Sequence, residues 1–169
     1  MLISAVASAA VPDLLVDQRP DSFDDVLRGQ LLAPMLLTRL ALPAMYARGT
    51  GSVILIASDA AKVATPGETV IGAAMAGIVM FARTAALEAK RHGVRVNAVT
   101  PSLVAGTMTS ERITESGFSS RLFAAAAKQA HLGITEPSDV AALCTFLAGP
   151  DARRITGQAI SVNSGISAA

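Results

Sequence analysis

Apolar runs separated by polar breaks divide this chain into alternating short and long segments. Leu2–Ala7 is a short apolar run and reads as a buried strand at the start of the chain. Ser52-Val-Ile-Leu-Ile-Ala57, Val94-Arg-Val-Asn-Ala-Val99 and Gln158-Ala-Ile-Ser-Val162 read as three more. Between them the spacing turns helical. Phe23, Val26, Leu27, Leu31, Met35 and Leu36 fall on one face of a helix, with Asp21 or Ser22 expected to cap it and Asp24 and Asp25 in its first turn. Pro34 and Pro43 lie inside that pattern and predict a kink or a division at each.

Arg48-Gly-Thr-Gly51 punctuates the chain before the second strand, and Pro66-Gly67 precedes a helix over about 70–91. That helix carries Gly72, Ala73, Ala74, Ala76 and Gly77. Each glycine costs a helix roughly 1 kcal/mol relative to alanine, so close approach of another element is the expected compensation. Gly93 supplies a helix stop. Residues 103–134 form a mixed loop-and-helix excursion, and Glu136-Pro-Ser-Asp139 opens a helix to Leu147, ended by Gly149-Pro150. Strands alternating with helices at this spacing predict an α/β fold with a parallel sheet of about four strands flanked by helices, in one domain over 1–169.

Composition narrows the function classes. Of 169 residues, 51% are apolar and only 16% charged, which suits a tightly layered α/β protein with apolar surface left for a partner. The formal net charge of +1 comes with no basic stripe, so nucleic-acid binding has no electrostatic basis. A single cysteine, Cys144, and two distant histidines, His92 and His131, exclude a disulfide framework and a metal site. Cys144 is expected to be buried, in a reducing, cytoplasmic setting. The longest apolar run, Val70–Ala82, is shorter than the ~18 residues of a membrane span, and Met1–Ala10 lacks the basic start of a signal peptide.

Taken in order, Ser52-Val-Ile-Leu-Ile-Ala-Ser58, the helix opening at Gly72-Ala-Ala, His92-Gly-Val-Arg-Val-Asn-Ala-Val-Thr-Pro101 and Ile155-Thr-Gly-Gln-Ala-Ile-Ser-Val-Asn-Ser-Gly165 resemble the short-chain dehydrogenase/reductase family. The resemblance runs from that family's fourth strand to its end. It implies a partial Rossmann-like fold, strands four to seven, without the first βαβαβ unit that holds the dinucleotide. The only Gly-x-Gly, Gly49-Thr-Gly51, sits between a helix and a strand, the reverse of the order a pyrophosphate cradle needs.

The resemblance also locates what has changed. The family's Asn-Asn-Ala-Gly falls on Ala5-Val-Ala-Ser8, and its catalytic Asn, Ser, Tyr and Lys fall on Gln30, Ser58, Ile71 and Met75. Spacing of i, i+4 keeps Ile71 and Met75 on one helix face, but neither carries a titratable proton. The family's Pro-Gly is Pro101-Ser102, and its nicotinamide-contacting threonine falls on Gly106, beside Thr107. Ser58, Ile71, Met75 and Pro101 would then line a vestigial pocket. Ser58 either donates to a ligand carbonyl or caps the end of its strand. Asp59, Lys62 and Glu68 are expected to be solvated, and Tyr46, the only tyrosine, to lie too far off to substitute.

Family helices that pair between subunits place Met35, Arg39, Gly72, Ala73, Ala76, Met80 and Arg83 at an expected oligomer interface. The resemblance therefore implies a non-catalytic subunit, without bound cofactor or metal. It would be partnered by an active, NAD(P)-binding dehydrogenase in a hetero-oligomer, on the pattern of a 2-[hydroxy(phenyl)methyl]succinyl-CoA dehydrogenase. The alternatives are a homo-oligomeric small-molecule binder and part of an oxidoreductase completed by another chain.

Overall fold

The computed structural model describes residues 1–115 and 117–168. Four parallel strands form one sheet in the order β1 (Leu2–Ser4), β2 (Gly51–Ile56), β3 (Val94–Pro101) and β4 (Ala159–Val162). Register runs Leu2↔Val53, Gly51↔Val94 and Ala98↔Ala159. The first strand is shorter than its apolar run, because Ala5–Ala7 leaves the sheet at its carboxyl end.

Alternation along β2 and β3 decides the layers. Val53, Leu55, Val94, Val96 and Ala98 join the core on one face, beneath helices α2 (Ala33–Arg48) and α3 (Thr69–Ala89). Ile54 and Val99 point to the other face, against Cys144 and Leu147 of α6 (Pro137–Ala148). Both faces being covered, the middle strands read as continuous apolar runs. Cys144 is buried there, and burial raises its thiol pKa.

A short helix α1 (Ser22–Val26) continues through a wide π-helical stretch, Leu27–Leu32, into α2. Pro34 follows directly and has no N–H to offer the carbonyl of Gln30, so the widened turn stands where a kink was expected. Pro43 does not divide the helix. It lies on the exposed side, where water can take the Arg39 carbonyl it leaves unbonded. Asp21 precedes α1 but gives no side-chain cap, its carboxylate being held by Arg19, while Ser22 Oγ donates to the Arg19 carbonyl at 2.7 Å.

The mixed excursion resolves into α4 (Met108–Thr114) and α5 (Gly117–Gln129), which enclose a small core of Leu103, Ile113 and Phe123. With its final turn, α3 spans Thr69–His92, long and apolar enough by length and composition to cross a membrane. This corrects the apolar-run expectation. The face holding Ala74, Met75, Ile78, Val79, Ala82 and Ala86 is nonetheless buried on the sheet, as in the central helix of a layered core.

Candidate functional site

Ser58 follows β2 at the carboxyl end of the sheet, the edge where open parallel sheets take ligands. Its backbone is extended and its Oγ accepts from Ala60 N at 3.2 Å, capping the turn Asp59–Ala61. The capping bond uses the oxygen as acceptor and leaves the O–H of Ser58 able to donate as well. Beside it Ala57 N donates to Val99 O at 2.8 Å, and β3 ends at Pro101, paired with Val162 of β4.

Helix α3 presses its first turns onto this loop. A side-chain carbon at Gly72 would stand 3.1 Å from Ala60 O, tighter than an ordinary contact, so glycine favours this close approach. Ile71 and Met75 flank that contact. Met75 is 6% exposed and joins Val53, Ala57 and Ile78 in the core. Ile71 is half-buried against the same cluster and borders a cleft of about 230 Å³ shared with Ala10, Val11, Phe23, Val26 and Val70. The four residues expected to line a pocket are thus placed differently from one another. Met75 and Pro101 are buried, and of the four only Ile71 borders the cleft.

Gln30 lies in the widened turn, 6% exposed, and donates from Nε2 to Ser8 Oγ at 2.9 Å. Ser8 in turn accepts from Ala10 N at 3.3 Å, so Gln30 ties the helix to the segment after β1. Gln30 Oε1 is buried with no hydrogen-bond partner among the described residues. Thr107 caps α4, accepting from Ser110 N at 3.1 Å and donating to Val104 O at 3.1 Å, while Gly106 takes a left-handed φ of 66°. Tyr46 stacks on His92 with ring centroids 4.0 Å apart. Its place before β2 puts it at the opposite end of that strand from Ser58.

The surroundings of Ser58 differ from the sequence expectation in one respect. Asp59 is buried, not solvated, and its Oδ2 accepts from Asn163 Nδ2 at 3.1 Å and from Ser167 Oγ. Glu68, directly before α3, has its pKa raised to about 7 by burial and by the charge of Asp59. Lys62 reaches across to Ser161 Oγ on β4. Asp59 follows a strand, and local sequence carries no sign that Asn163 and Ser167, beyond β4, reach it.

The expected interface residues fall into two groups. Arg39, Ala73, Ala76, Met80 and Arg83 are exposed and Met35 is half-buried. Gly72 is the exception, turned toward Ala60 of its own chain. Leu36, Leu40 and Leu87 add to the same outward apolar surface, Leu40 being 75% exposed.

These residues do not supply the cradle or the cation that a nicotinamide dinucleotide would need. Gly49, with φ 65°, caps the end of α2, and Gly51 opens β2 against Met45, so this turn runs from helix to strand. Buried Met75 stands where a cation for the ribose would be required, and no step through the cofactor follows from this chain's own groups.

Comparison with known proteins agrees with the fold. The family model described as Enoyl-(Acyl carrier protein) reductase matches residues 1–167. A (3R)-3-hydroxyacyl-CoA dehydrogenase of Homo sapiens is 32% identical, over 98% of this chain and 62% of its own length. A 7alpha-hydroxysteroid dehydrogenase of Bacteroides fragilis is 34% identical, over 86% of this chain and 55% of its own. A solved oxidoreductase of the short-chain dehydrogenase/reductase family from Burkholderia thailandensis superposes with a TM-score of 0.85 at 27% identity, covering 99% of this chain and 64% of that one. The chain thus spans less than two thirds of the length of these relatives. Its four-stranded parallel sheet, the order of its motifs and these likenesses place it in the short-chain dehydrogenase/reductase family.

Proposed function

We propose that this chain is a non-catalytic member of the family that assembles with a full-length, active short-chain dehydrogenase acting on a hydroxyacyl-CoA. The observation that carries this reading is the pair Ile71 and Met75 on α3. One packs against the core and the other lies within it, where hydride transfer requires a proton donor and a cation. A missing acid/base group costs about 10²–10⁴ in rate. NAD(P) then belongs to the partner, and the compartment is the cytoplasm, in keeping with the free, buried Cys144. The substrate class follows the likeness to (3R)-3-hydroxyacyl-CoA dehydrogenases. Outward apolar side chains of α2 and α3, with Leu40, Met80 and Leu87 most exposed, supply the docking surface.

Co-expression with a full-length dehydrogenase of the same host tests this. A stable complex is expected, with NAD(P)-dependent hydroxyacyl-CoA oxidation in the complex and none in the single chain. Turnover by the purified chain alone overturns the proposal.

A second reading rests on the sheet edge. Among the described residues β1 pairs only with β2, which leaves its other edge open for a strand from another polypeptide, completing an oxidoreductase. A third, homo-oligomeric small-molecule binding, rests on the cleft beside Ile71. Ligand-dependent rises in melting temperature of the chain alone distinguish it.

A further inference from the structure

Leu14, Leu15 and Val16 stand in succession in water between Ala10 and α1, Val16 being 87% exposed. They belong neither to the cleft beside Ile71 nor to the outward surface of α2 and α3. Isolated exposed apolar residues are ordinary on a protein surface; three in succession on a fixed turn mark a contact.

The turn is fixed by its own hydrogen bonds. Asp13 N donates to Gly67 O at 3.0 Å, and Gln18 Nε2 donates to the same carbonyl at 3.2 Å and to Asp13 O at 2.6 Å. Both ends of the turn thus hang on one oxygen. Inside it, Asp17 N and Gln18 N donate to Leu14 O at 2.8 and 3.1 Å, and Leu14 N donates to Asp13 Oδ1 at 2.9 Å. Pro12 is buried at its foot. Gly67, with φ 87°, is held in turn by α5, where a side-chain carbon on it would collide with the ring of Phe118. The backbone that presents Leu14–Val16 is therefore set before anything binds, so little ordering entropy opposes association.

Charge around the turn selects what covers it. Residues 11–25 hold five aspartates, Asp13, Asp17, Asp21, Asp24 and Asp25, and one arginine, Arg19, in a chain whose net charge is +1. Arg19 is taken up by Asp21, and Asp24 by Arg28, while Asp17 stands exposed next to Val16. An anionic lipid surface repels such a tip. A second copy offers a poor seat in either of two clefts. The one beside Ile71 is lined by Asp13 and Asp17 themselves, and the other, about 420 Å³, by Thr84, Leu87, Glu88, Arg91 and His92, with a single apolar side chain.

We propose that Leu14, Leu15 and Val16 insert into an apolar cleft, rimmed by lysine or arginine, on the full-length dehydrogenase that partners this chain. The contact rests on the assembly proposed for the chain and adds to it a second docking point, apart from α2 and α3. Leu15 and Val16 supply the apolar area that becomes buried. Asp17 faces the cations of the rim, which orients the turn and makes binding weaken with salt.

Dilution of the co-purified complex, followed by sedimentation, reads its dissociation constant. Leu15→Asp with Val16→Asp is expected to raise that constant at least tenfold, with circular dichroism unchanged. Leu15→Ser, a milder surface change, should move it in the same direction. Asp17→Asn should weaken the complex at low salt and flatten its salt dependence. A complex that keeps its dissociation constant in the double variant, or its full salt dependence in Asp17→Asn, overturns this contact and leaves the assembly standing. Absence of any complex with the unaltered chain overturns the assembly and this contact with it. Self-association of the chain, or binding to phosphatidylcholine–phosphatidylserine vesicles, that the double variant abolishes gives the turn to a copy or to lipid and overturns the proposal as well.

Discussion

Asn97 shows how much a single side chain carries in this protein. Fully buried on β3, it donates from Nδ2 to Ile155 O at 3.0 Å and accepts at Oδ1 from Gln158 N at 3.0 Å. It fastens the loop before β4 and sets that strand's register. Asn97→Ala leaves Gln158 N and Ile155 O without these partners, and is expected to lower stability by about 2 kcal/mol, read as a shift in urea midpoint with unchanged slope. Glu68 makes a prediction of opposite character. Its folded pKa, about 7, lies above the ordinary 4.5, so the folded form binds the proton more tightly than the unfolded chain. Its contribution is full below pH 4.5 and is lost as pH rises toward 7, amounting to about 3 kcal/mol. Urea titrations at pH 5 and 7.5 should show that loss in the unaltered chain and not in Glu68→Gln. Asp59 does not betray its burial in sequence. A charge in a loop after a strand ordinarily faces water, and the segment covering Asp59 comes from about a hundred residues further on.

At the scale of elements, two helix ends decide the geometry. Arg95 on β3 donates from Nη1 to Leu147 O at 2.5 Å and from Nη2 to Ala148 O and Gly149 O, each at 3.3 Å, closing the carboxyl end of α6. Ser52 Oγ adds a bond to Leu147 O at 3.2 Å. A positive side chain there also suits the negative end of the helix. Arg95→Met keeps the aliphatic stem and is expected to cost about 1–2 kcal/mol, with faster exchange of the last-turn amides of α6. Gly93, with φ 68°, joins the last turn of α3 to β3, and a side-chain carbon there would stand 2.2 Å from Gly49 O. Gly93→Ala therefore meets backbone as well as strain, and a loss of about 2–3 kcal/mol in chemical denaturation is expected. The glycine stop was legible in the sequence; the reason that no other residue fits was not, because Gly49 belongs to a different connection.

For the whole molecule, the outward apolar surface of α2 and α3 is the feature with a consequence for assembly. Leu40→Glu combined with Met80→Glu changes two side chains that are 75% and 59% exposed. The fold should survive by circular dichroism, while sedimentation should show association with copies or a partner weakened at least tenfold. The sequence by itself determined the α/β class, the four parallel strands, the helix between Pro66-Gly67 and Gly93, and the apolar identity of Ile71 and Met75 at positions the family uses for chemistry. Those features follow from local periodicity, from glycine and proline punctuation, and from which side chains can hold a proton. Only the tertiary structure decided that Pro43 leaves α2 whole, that Met75 turns into the core, that Gly72 serves contact within the chain, and that Asp59 is enclosed by Asn163 and Ser167. Each of these depends on a surface brought up from a distant part of the chain, and burial is a property of that surface rather than of the residue covered.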